Sequence, residues 1–61
     1  MKIETHIKQM KKAIDSMPSE MVKQAGKKAM EWLADYPLYA CTSNIGYTDA
    51  IIIAVTLGAK I

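Results

Sequence analysis

The stretch Ala50-Ile51-Ile52-Ile53-Ala54-Val55-Thr56-Leu57-Gly58-Ala59-Lys60-Ile61 decides the fold, because only Thr56 and Lys60 in it carry polar side chains. A helix built from it is apolar on every face and must be buried on all sides. Thr48 followed by Asp49 reads as an N-cap with an acidic first turn, and Gly58 is placed to end what they start. The expected helix runs from about Asp49 to Leu57. Ile51, Ile52, Ile53, Val55 and Thr56 are β-branched, and such residues also suit a buried strand. A single strand leaves its amides and carbonyls unpaired unless another subunit supplies an edge, so the alternative is a swapped β-strand. In either case the segment needs more cover than two amphipathic helices are expected to give. The sequence therefore predicts a homo-oligomer, dimer or higher, with Ile51, Ile52, Ile53, Val55 and Leu57 in its shared core.

Working back along the chain, Tyr36-Pro37 ends a helix, because proline pushes the preceding residue out of the helical region. Between them and Asp49 lies a connector in which Ser43, Asn44 and Gly46 form turns. A second helix is expected from about Pro18 to Asp35. Val22, Ala25, Ala29, Trp32 and Tyr36 make its seam, with Met21, Met30 and Leu33 widening it. Gly26 costs ~1 kcal/mol relative to alanine inside a helix. With Ala25 and Ala29 it forms a patch of small residues where another helix can approach closely.

At the start of the chain, Ile3, Ile7, Met10, Ile14 and Met17 fall at steps of four, three, four and three, a heptad stripe that predicts a first helix from Ile3 to about Asp15. Its outward residues include Lys8, Gln9, Lys11 and Lys12, and Glu4 stands four residues before Lys8 in the order that favours a helix. Asp15-Ser16-Met17-Pro18 breaks the helix, and Ser16 is placed to accept from the amides of the next one. The fold class is all-α, three helices in one domain.

A chain of 61 residues buries only ~60% of the surface its unfolded form exposes. Disulfides, a structural metal or a partner usually compensate. One cysteine, Cys41, and one histidine, His6, rule out the first two within a chain, which again leaves a partner. A lone cysteine fits a reducing interior, and cytoplasm is the expected compartment. The first residues lack the apolar run of a secretion signal, and no stretch approaches the ~20 apolar residues that span a bilayer. Hydrophobic residues at 51% against 23% charged describe a chain that folds.

The inventory of reactive groups is thin. Cys41 is expected to be a packed or incidental thiol, and His6 a solvated residue among lysines. No pair has the spacing of a zinc site, and Glu31 with Asp35 reads as a solvated pair beside Lys27 and Lys28. Gly26, Gly46 and Gly58 are isolated, so no phosphate-cradling loop is present. No cofactor, no metal and no catalysis are expected. Seven lysines precede residue 29, but acids balance those of the second helix and the chain has no arginine, the residue that most often reads guanine and clamps phosphate. Nucleic acid is thus an unfavoured partner, held as a third reading in the form of weak, salt-dependent binding.

What remains is binding. The expected function is that of a small regulator or inhibitor acting by stoichiometric association with a protein. Lys8, Lys11, Lys12, Lys23 and Lys27 are the candidate face for an acidic partner. The alternative is sequestration of a small, nucleotide-like ligand at a subunit interface by Tyr36, Tyr39, Thr42, Ser43, Asn44, Tyr47 and Thr48, which gather rings and hydrogen-bonding groups on one connector.

Overall fold

A computed structural model describes residues 2–61. Three α-helices, α1 (Ile3–Asp15), α2 (Ser19–Ala34) and α3 (Tyr47–Thr56), are joined by a short turn and by a connector holding two 3-10 turns, Pro37–Tyr39 and Thr42–Asn44. The described residues contain no strand, so the C-terminal segment is helical and the swapped strand is set aside.

The core takes Ile14 from α1, Ala29 and Leu33 from α2, and Ala50, Ile51, Ile52 and Ala54 from α3. Most of the packing is between α2 and α3, and α1 is added mainly against α3. Gly26, Ala29, Ala50 and Ala54 are all buried, and their small side chains let the two main helices come close. α1 and α2 cover part of the apolar segment and leave part of it open. Ile51 and Ile52 are interior residues of the single chain, Ile53 and Val55 are half-buried, and only Leu57, at 45%, is freely exposed.

Both restart points differ from the sequence expectation. Ser16 closes α1 instead of opening α2: its Oγ donates to the Lys12 carbonyl at 3.1 Å. Pro18 takes the N-cap position of α2 without a side-chain cap. α3 begins at Tyr47, with Gly46 as N-cap, so Thr48 lies inside the first turn and caps nothing. The cause is a contact from a distant part of the chain. An added Cβ on Gly26 would lie 2.6 Å from Tyr47 Cβ, so Tyr47 sits directly on the α2 backbone and carries the start of α3 with it. The small-residue patch around Gly26 thus receives the first turn of α3.

The far end of α3 closes as its glycine suggested. Gly58 adopts φ of 100°, a conformation costly for residues with a Cβ. Its N–H donates to the Val55 carbonyl at 3.0 Å, and the Ala59 N–H reaches back to Ala54 at 2.9 Å. This pair of bonds satisfies carbonyls that the helix end would otherwise leave open. Thr56, the polar interruption in the apolar run, donates its hydroxyl to the Ile52 carbonyl at 2.7 Å.

Candidate functional site

Consecutive helices joined by so short a turn usually pack on each other. Here α1 and α2 lean on α3 and leave a cleft of about 410 Å³ between them, a volume within the ~300–1,000 Å³ typical of binding pockets. One wall is the α1 face of Met10, Ala13, Ile14 and Met17. The other is the α2 face of Met21, Gln24, Ala25 and Lys28; Ile51 of α3 and the terminal Ile61 complete the lining. Met21 is 55% exposed and Ile61 45%, although both are large apolar side chains.

The lining is apolar, with Lys28 its one charged member and Gln24 its one neutral polar member. Methionine supplies Met10, Met17 and Met21. An unbranched thioether with three rotatable bonds fills irregular shapes and suits a surface that adapts to what it binds. Met10, Ile14, Met17, Met21 and Ala25 were legible in the sequence as stripe residues, but the stripes alone read as core, and Ala13, Gln24, Lys28 and Ile61 lay outside them. That the two stripes face a gap follows from the turn at Ser16-Met17-Pro18, which sets α1 and α2 apart.

The five lysines of the candidate basic face do not share this surface. Lys8, Lys11 and Lys12 lie together with Thr5, Gln9 and Asp15 on the outer side of α1. Lys23 and Lys27 are exposed and follow Met21 by two and six residues, so the helical turn of ~100° per residue points them away from the cleft. The five lysines are therefore divided between two helices and outside the apolar lining.

The connector residues are likewise dispersed. Tyr36 stacks on Trp32, ring centroids 4.3 Å apart, and Thr42 is buried beneath the turns. Tyr39 packs on the core. Ser43 and Tyr47 line a shallow depression with Met30, while Asn44 lines a separate one with Ile7, Lys11 and Asp49. Thr48 is half-buried in α3. Each of the seven has a local structural role or a separate surface, and no single cavity gathers them. Cys41 is exposed, which sets aside the packed alternative and leaves that of an incidental thiol, and His6 is half-buried. Among the described residues no three of histidine, cysteine, aspartate and glutamate converge as a metal site would require. None of the described helices is long and apolar enough to cross a membrane.

The sequence matches no family model, and no curated protein and no solved structure is significantly similar to it.

Proposed function

We propose that the protein is a non-catalytic binding protein, a small regulator or inhibitor that associates stoichiometrically with another polypeptide through the α1–α2 cleft. The observation that supports this reading is the cleft itself, an apolar, methionine-lined surface left open between two helices. Its occupant is the apolar face of an amphipathic helix, because two helices flanking an apolar floor residue form a groove in which a third helix can lie. Lys28 on the lining favours an acidic residue beside that face. The lysines outside it act at longer range, raising the rate of encounter with an acidic partner.

The test uses a synthetic probe helix of about sixteen residues, with leucine at i, i+3, i+4 and i+7 and glutamate and glutamine elsewhere. Titrated into isotope-labelled protein, it is expected to shift the amide resonances of Met10, Met17, Met21, Ala25 and Ile51. Met21→Glu should abolish those shifts without loss of helix content. Shifts confined to Lys8, Lys11 and Lys12, or none at all, defeat the cleft reading.

Self-association is the second reading, favoured by the exposure of Met21 and Ile61 at the mouth of the cleft. The cleft of one copy would then be covered by the corresponding face of another, and light scattering would report a mass that rises with concentration and falls back in Met21→Glu. The cytoplasmic location stays with this proposal as the compartment in which an exposed Cys41 keeps its thiol.

A further inference from the structure

We infer that Met10, Met17 and Met21 form a modification site at which a two-electron peroxide oxidant, by converting thioether to sulfoxide, releases the amphipathic helix that the cleft binds. The inference rests on the cleft being the binding surface.

Among residues 2–61 the chain has four methionines, and the structure brings three of them to one opening while the fourth, Met30, lies by Ser43 and Tyr47. Met10 and Met17 come from one helix and Met21 from the next, so their convergence is a product of the turn between α1 and α2. None of the three is fully buried: Met21 is exposed and the other two are half-covered, so an oxidant in water reaches this surface without unfolding the chain. The surrounding lining, Ala13, Ile14, Ala25 and Ile51, offers aliphatic carbon.

The chemistry needs no protein catalyst. A sulfur lone pair attacks one oxygen of hydrogen peroxide, the O–O bond breaks as the S–O bond forms, and the departing hydroxide takes up the proton and leaves as water. Sulfur loses two electrons and peroxide gains them. The product is a strong hydrogen-bond acceptor on a side chain that had been apolar. On a surface that binds by excluding water, each such oxygen must give up its hydration when the cleft is filled, and Gln24 and Lys28 are the side chains of the lining that can donate to it. Reduction of the sulfoxide restores the original surface.

The experiment compares the probe helix bound by Cys41→Ser protein before and after hydrogen peroxide, with mass spectrometry assigning oxygen to each methionine. The serine background removes the exposed thiol as a competing target. Oxidation should appear first at Met21, and affinity for the probe should fall by about tenfold or more once the cleft methionines are converted. In the same background, the combined Met10→Leu, Met17→Leu and Met21→Leu variant, whatever affinity it starts from, should show no peroxide-dependent change in that affinity. Methionine-to-leucine changes conserve volume and are well tolerated, and Met21→Leu alone is a milder check on the most exposed position. Met30→Leu should remain as peroxide-sensitive as its parent.

An oxidised protein that binds the probe as before overturns the inference, as does an equal loss in the triple-leucine variant. Failure of the untreated protein to bind the probe at all overturns the cleft reading first, and the inference with it.

Discussion

At the residue scale, Gly26 and Gly58 are needed for different reasons. At Gly26 the limit is space. The Tyr47 Cβ stands 2.6 Å from where a new Cβ would be, and it belongs to the rigid start of α3, which cannot swing away as a long side chain would. Gly26→Ala is expected to cost about 2–4 kcal/mol, the range of overpacking with a backbone shift, even though alanine is the better helix former. Denaturant unfolding measures it, and the cost should shrink in a Tyr47→Gly background, where the opposing carbon is gone. At Gly58 the limit is conformation: nothing lies within 4 Å of the added carbon, but φ is 100°. Gly58→Ala should cost about 1–2 kcal/mol whatever stands at Tyr47, so the two glycines are separable by the same double-mutant comparison. The sequence marks both positions, since a helix-interior glycine and a glycine after an apolar run each call for a reason. The identity of Tyr47 as the group on Gly26 was not legible, because it depends on how a connector of two 3-10 turns folds back.

The helices themselves were readable from spacing, and their ends were not. The stripe from Ile3 to Met17 marks α1 because local periodicity and burial agree there: Ile14 is interior, and Ile7, Met10 and Met17 pack against the core. Ser16 and Thr48 misled because a hydroxyl beside a helix end suits either neighbour. Ser16 bonds back to Lys12, and Thr48 was drawn into α3 by Tyr47. The helices also differ in how firmly they are held. α1 contributes one buried residue, Ile14, whereas α3 contributes Ala50, Ile51, Ile52 and Ala54. Local opening follows the density of buried apolar contacts. Hydrogen exchange should therefore be faster along α1 than in the middle of α3. Ile14→Ala, which removes the main anchor at a cost of ~2–5 kcal/mol, should raise exchange in α1 well before α3. Uniform protection across the three helices would mean that α1 is not a separately opening unit.

For the whole molecule, the question is where the apolar surface ends up. Composition shows a surplus of apolar side chains and points to a partner, but it cannot say which residues form the surplus. The structure buries Ile51 and Ile52 inside one chain and leaves Met21, Ile61, Leu57 and Leu38 exposed, Leu38 at 91%. The two arrangements predict opposite results for the same substitution. If Ile52 belonged to an interface between copies, Ile52→Asp would give a folded monomer, since the charge would meet water once the copies separated. As an interior residue at 5% exposure, it places a carboxylate in the packed core, and such burial costs several kcal/mol in a chain whose total stability is ~5–15. Ile52→Asp is therefore expected to lose its helical circular dichroism at 25 °C. Met21→Glu, whose charge stays in water at the cleft mouth, should keep its helix content and lose association alone. Measuring helix content and mass together on both variants decides the matter. A folded, monomeric Ile52→Asp would return α3 to an interface, whereas an unfolded one beside a folded Met21→Glu places Ile52 in the interior of a single chain and Met21 outside it.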